Sequence, residues 1–169
     1  MNTIGLTLAG LTIALVVLYA NVRPWWKGNR DPKQLAPFGQ GALLGGLATT
    51  CVGGILGWGA KRAANLANSA GDKATLGITG TQAESPITTA RLGTLTPEGA
   101  VIVVLILTAV VLAFRAAGKA DKRRIAGGAF VGATLCTTAG VAGFLAWVPD
   151  SVNTAGTALR SAIEGAGIL

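Results

Sequence analysis

The chain has 169 residues, of which 51% are apolar, 12% are charged and 25 are glycine. Typical soluble domains carry about 25% charged residues, so this composition argues against a soluble surface and against a charge-rich disordered chain. There is no His, which removes His-based catalysis and His metal sites, and two Cys cannot build a disulfide framework or a four-Cys zinc site.

Four stretches lack any charge: residues 3–20, 38–60, 99–114 and 125–148. A membrane-crossing helix needs roughly 17–25 residues, and the third stretch reaches that length with Pro97, Glu98 and Ala116. The runs are apolar on every face, whereas helices of a soluble bundle would carry a polar face. The expected fold is therefore an all-α integral membrane protein with four transmembrane helices arranged as two parallel helical hairpins. Residues 1–60 form the first hairpin, 61–97 an extracytoplasmic connection, 98–148 the second hairpin and 149–169 an amphipathic tail. The first stretch has no basic residue before it, which reads as a retained anchor rather than a cleaved signal peptide.

Basic residues set the expected orientation. Arg23, Lys27, Arg30 and Lys33 follow the first run, and Arg115, Lys119, Lys122, Arg123 and Arg124 follow the third, so two short loops hold 9 of the 14 Lys and Arg residues. Four crossings put both loops on the cytoplasmic side of the cell membrane and both termini outside. Tyr19, Trp25 and Trp26 then fall at the inner interface, with Trp58 and Trp147 at the outer one, as anchors. The basic loops attract anionic lipid, at roughly 1 kcal/mol per basic group near the surface. They also suit a nucleic acid or an acidic protein partner.

The two halves look alike. GALLGGLATTCVGGILGW from Gly41 and GAFVGATLCTTAGVAGFLAW from Gly128 both follow a basic loop, and both lead into small polar segments, NLANSAG and SVNTAG. An internal duplication relates such halves by an axis along the membrane normal. In the connection, Gly71 and Asp72 are expected to end a helix. Thr75–Thr79 and Ile87–Leu92 are expected to pair as a short hairpin. Thr96-Pro97-Glu98 reads as N-cap, first-turn Pro and first-turn acid. Pro149-Asp150-Ser151 reads as a break before a helix with Val152, Ala155, Leu159 and Ile163 on one face, resting on the outer surface.

The four runs contain no ionisable residue, which argues against proton-coupled transport and ion pumping. No phosphate loop, dinucleotide fingerprint or zincin motif occurs. The reading is a protein that is not an enzyme and needs no cofactor or metal. Small residues four apart make flat helix faces that let backbones approach. Gly41, Gly45, Gly53 and Gly57 do so in the second run, and Gly128, Gly132, Ala139 and Gly143 in the fourth. These are the candidate helix-packing sites, within one chain or between copies in a homo-oligomer. Cys51 and Cys136 read as small packing residues.

The helix ILTAVVLAF ending at Phe114, the Lys122-Arg123-Arg124 loop and the helix opened by Gly127-Gly128 resemble the hairpin core of type IV secretion pilins, over residues 97–148. The whole layout is similar to small multi-pass proteins of phages and conjugative elements, including holins and plasmid spread proteins. The resemblance implies a self-assembling subunit of a membrane pore or transfer conduit. A phage holin and a passive anchor for an extracytoplasmic partner are the alternatives.

Overall fold

The computed structural model describes residues 5–28, 30–81 and 85–166. These residues form seven helices and no strand: α1 (Leu8–Lys27), α2 (Pro32–Ala48), α3 (Gly54–Thr79), α4 (Pro97–Ala116), α5 (Lys119–Leu135), α6 (Ala139–Phe144) and α7 (Trp147–Gly165). Of these, α1 and α4 are long and apolar enough to cross a membrane.

The other two uncharged runs do not form single helices. The 38–60 run breaks between α2 and α3, and the 125–148 run breaks between α5 and α6. Both breaks have the same cause. Thr49 and Thr50 each donate a hydroxyl proton to a carbonyl three residues back, at 2.6 Å. Thr137 and Thr138 do the same at 2.6 and 2.7 Å. Paired Thr hydroxyls of this kind compete with the helical ladder. Gly54 then takes a left-handed φ of 69°, which turns the chain into α3 at no steric cost.

Three local expectations need correction. Gly71 and Asp72 do not end a helix: α3 runs on to Thr79 and stops at the left-handed Gly80. Thr75–Thr79 is therefore helical, and no hairpin forms with Ile87–Leu92. Pro149 does not break the tail, because it lies in the first turn of α7, where Pro is tolerated. The tail helix also does more than rest on a surface. Val152 packs with Val103 of α4 and Leu47 of α2, while Ala155 is exposed. Thr96 caps α4 by accepting the Gly99 N–H, with Pro97 in its first turn.

The centre of the molecule is the α2–α5 pair. A Cβ on Gly41 would strike the Ile125 carbonyl, and one on Gly45 the Ala129 carbonyl. Reciprocally, Gly128 faces the Phe38 carbonyl and Gly132 the Ala42 carbonyl. The contacts advance in the same direction on both helices, so α2 and α5 run parallel. On the flanks, α1 and α4 show the same burial pattern. Ala14 and Val103 are buried at corresponding places, while Leu15, Val16 and Tyr19 are exposed, as are Val104, Leu105 and Thr108.

An extended segment ties the halves together. Leu8 N–H donates to the Ser85 carbonyl at 3.0 Å and Ile87 N–H to the Leu6 carbonyl at 2.9 Å. The next residues reach the second break: Ala90 N–H donates to the Thr137 carbonyl at 3.0 Å, and Ala139 N–H to the Thr88 carbonyl at 3.1 Å.

Candidate functional site: paired helix clasps, a glycine crossing and a basic end

Each half carries the same clasp. In the first, the Asn68 amide oxygen accepts the Thr7 N–H at 2.9 Å and its hydroxyl at 3.2 Å. The Asn68 amide nitrogen donates to the Gly5 carbonyl at 2.9 Å. In the second, the Asn153 oxygen accepts the Thr96 N–H at 2.9 Å and its hydroxyl at 3.3 Å, and its nitrogen donates to Thr94 at 3.2 Å. The Thr hydroxyls in turn accept the N–H groups of Gly10 and Gly99, both at 3.1 Å. One Asn thus satisfies the chain entering a helix, while the Thr it holds satisfies an orphan N–H inside it.

Glycines make the clasp possible. A Cβ on Gly71 would strike the backbone of Ala9 and Gly10, and one on Gly156 the backbone of Glu98 and Gly99. Gly10 and Gly99 would strike Asn68 and Asn153. The expected packing strips did not include these four glycines. Their signal is present in the sequence as Thr-x-x-Gly before each outer helix and Asn-Ser/Thr-Ala-Gly after each break.

The expected packing residues divide. Gly41, Gly45, Gly128 and Gly132 meet across α2 and α5 within one chain. Gly53 and Gly143 are exposed with no neighbour within 4 Å of an added Cβ. Gly57 abuts the carbonyl of Cys51, in the break before α3. Ala139 begins α6, its N–H held by Thr88. Cys136 is buried with Leu92 and Ala142, and Cys51 is half-buried.

Because α2 and α5 are parallel, their N-termini lie at one end of the molecule, and the two basic loops come with them. An Arg124 guanidinium N–H donates to the Gln34 carbonyl at 2.9 Å, joining the loops directly. Arg23, Lys27, Arg30 and Lys33 flank the turn from α1 to α2, and Arg115, Lys119, Lys122 and Arg123 the turn from α4 to α5. The aromatics at this end carry cations: Arg23 over Tyr19 at 6.0 Å, Arg30 over Trp26 at 5.4 Å and Lys122 over Phe114 at 5.8 Å. Trp25 stands edge-on to Trp26, with ring centroids 6.2 Å apart. Trp58 is exposed under Arg62, and Trp147 is exposed at the start of α7.

Arg160 of α7 bridges Glu98 at 3.0 Å and Glu164 at 2.7 Å. The hydrogen bond to Glu164, then that to Glu98, raises the Arg160 pKa above its ordinary value. Among the described residues no group of three or more His, Cys, Asp or Glu side chains is brought together to hold a metal. A cavity of about 430 Å³, lined by apolar side chains, lies along α2 and α5, with Leu18 of α1, Leu92, Val141 of α6 and Trp147 and Val148 of α7 around it. No family model, no curated protein and no solved structure matches this chain.

Proposed function

We propose that the chain is a non-enzymatic protein of the cell membrane that crosses it four times and serves as a subunit of a self-assembling pore or transfer conduit. In this reading α1 and α4 are crossings. The interrupted runs supply the other two, as α2 and α5 with the chain just beyond each break. Such interruptions are tolerated at membrane depth where protein covers them or re-satisfies the backbone; at the second break the 88–90 segment does so, and at both breaks Thr hydroxyls bond carbonyls of the preceding turn. The halves are an internal duplication about an axis along the membrane normal. Both basic loops face the cytoplasm, and both termini lie outside.

One observation carries the assembly reading. The outer faces of α1 and α4 bear exposed apolar side chains at matching places, Leu15 and Val16 on one and Val104 and Leu105 on the other, with Tyr19 and Thr108 exposed one turn on. Gly41, Gly45, Gly128 and Gly132 are already used inside the chain, so copies meet through these side chains instead. A subunit with two like faces on opposite sides joins a neighbour on each, which generates rings or rows.

Reporter fusions should place residues 30 and 120 inside and residue 166 outside. With Cys51 and Cys136 replaced by Ala, Val16→Cys with Leu105→Cys should give a cross-linked ladder in membranes, while either Cys alone stops at a dimer. Monomers alone in every case would end the assembly reading. Residues 30 and 120 on opposite faces would end the topology. Abrupt lethality on induction, with release of a co-expressed endolysin, would favour the holin reading.

A further inference from the structure

We infer that residues 88–92 are a hinged strap that closes the apolar cavity beside Cys136, and that the fold opens there while the helices stay packed. Most residues around the cavity of about 430 Å³ belong to α1, α2, α5, α6 and α7, whereas Leu92 comes from the extended segment between α3 and α4. Leu92 is 4% exposed and packs with Cys136 and Ala142. Cys136 lines the same cavity and is 6% exposed. Leu92 is thus one of the side chains that shield the thiol.

The grip of this segment on the second break is narrow. Ala90 N–H donates to the Thr137 carbonyl at 3.0 Å and Ala139 N–H to the Thr88 carbonyl at 3.1 Å, on either side of the antiparallel pair Thr89–Thr138. Thr88, Thr89, Ala90 and Arg91 are exposed, so Leu92 is the one buried side chain of the five. A stretch with few buried apolar contacts and exposed backbone bonds opens at lower free energy than a packed core. Gly93 follows with a φ of 147°, a conformation that favours glycine, and forms the joint. Beyond the joint, Asn153 holds the Thr94 carbonyl and the Thr96 N–H. Before the strap, Ile87 N–H is held by the Leu6 carbonyl. The strap is therefore pinned beside the start of α1 at one end and to α7 at the other, and a shift between those two helices is delivered to its middle.

The first break shows that a break of this kind forms without a strap. Thr49, Thr50 and Cys51 donate their N–H groups to the Gly46, Leu47 and Ala48 carbonyls, and the two Thr hydroxyls add their own backward bonds. Among the described residues no extended segment pairs with it, and Val52 is exposed there. On that side Ala48 and Ala133 are covered by Ala60, a residue inside α3. On the other side part of the cover lies outside any helix. When the strap lifts, the second break keeps its own bonds at Thr137 and Thr138, so the opening does not have to spread into α5.

The test uses the full chain in mild detergent with Cys51→Ala, which leaves Cys136 as the one thiol. Amide exchange and modification by a maleimide are followed together. The Ala90 and Ala139 amides and the Cys136 thiol should report a single opening, with protection at least about tenfold weaker than at the Gly45 and Gly132 amides. Leu92→Ala should weaken protection at Ala90 and Ala139 by a further factor of about ten or more and leave Gly45 and Gly132 unchanged. Thr89 and Thr138 form a pair without mutual backbone bonds, where side chains of adjacent strands come close. Oxidation of Thr89→Cys with Thr138→Cys should lock the strap, so that peptide mapping finds Cys136 modified about tenfold more slowly or less, with the rate restored by reductant. Modification of Cys136 that waits on exchange at Gly45 and Gly132 would place the segment in the core and overturn the inference. So would a loss of protection at all four amides in Leu92→Ala. Equal rates in the oxidised and reduced forms would show that the thiol is reached by another route, and would overturn it as well.

Discussion

The first half of the molecule and the second use the same fasteners with different coverings. Each has an Asn–Thr clasp at the start of its outer helix, a glycine face at the centre and a Thr-rich break between. Past the break they diverge. The first half continues as one long α3, which covers its side of the α2–α5 pair. The second half splits into α6 and α7, and Val141, Leu145 and Val148 pack with Leu92 and Cys136 around a cavity on its side, while residues 88–90 hold its break. The spacing between counterparts shortens from α1/α4 to α2/α5 to α3/α7, so the losses fall in the connections, where insertions and deletions are tolerated. What is shared is the polar and glycine hardware. What differs is the apolar cover.

The largest loss should come at the glycine crossing in the centre of the molecule. Gly45→Leu places a side chain against the Ala129 backbone, and Gly132→Leu against that of Ala42. Backbone cannot swing aside as a side chain can, so each should cost about 3 kcal/mol or more. Because the contacts are reciprocal, the two losses should agree to within about 0.5 kcal/mol, near the additivity error of such measurements. Unfolding in detergent, followed by thermal denaturation or by protease access to the 49–53 break, reads both. A loss confined to one variant would mean that the two faces are not equivalent.

The clasps should separate the halves. The Asn68 bonds are partly buried, while those of Asn153 are exposed. Losing the Asn leaves a helix-entry N–H and a carbonyl without partners, and water can replace them only where it reaches. Asn68→Ala should cost about 2 kcal/mol and Asn153→Ala about 1 kcal/mol. Hydrogen exchange at the Thr7 and Thr96 amides would report each clasp separately. Equal losses would show that solvent reaches both alike.

Parts of this arrangement can be read from residue spacing and parts cannot. Thr96-Pro97-Glu98 is a local signal, and it sits at the start of α4. Gly41 and Gly45 can be read as a face because four-residue spacing defines one. Nothing in that spacing says whether the partner lies in the same chain, and here it does. Hydropathy is blind to the breaks, since Thr49 and Thr50 are uncharged and the backward bonds of their hydroxyls leave no mark in it. The α3 helix passes through Gly71 because that glycine serves close approach to Ala9, a long-range need with no local mark. The Asn-Ser-Ala-Gly and Asn-Thr-Ala-Gly segments are visible as similar text. Their Thr partners lie 61 and 57 residues away in sequence, so only the fold joins them.

The smallest expected effect concerns a charge that only one half has. Arg160 ties α7 to Glu98, while Ala9 stands in the first half where Glu98 stands in the second. Arg160 is well exposed, at 60% for its side chain, and exposed ion pairs are screened and entropically costly to hold. If Asn153 and Gly156 fasten α7, then Arg160→Thr should leave the unfolding midpoint unchanged, and molar salt should do no more to the parent than the substitution does. If instead Arg160→Thr loosens α7 as much as Asn153→Ala, measured by exchange at the Thr96 amide, then the second half has replaced a polar clasp with an electrostatic one. The likeness of the halves would then stop at geometry. The ordering of Asn153→Ala against Arg160→Thr therefore decides whether the duplicated hardware still bears the load in both copies.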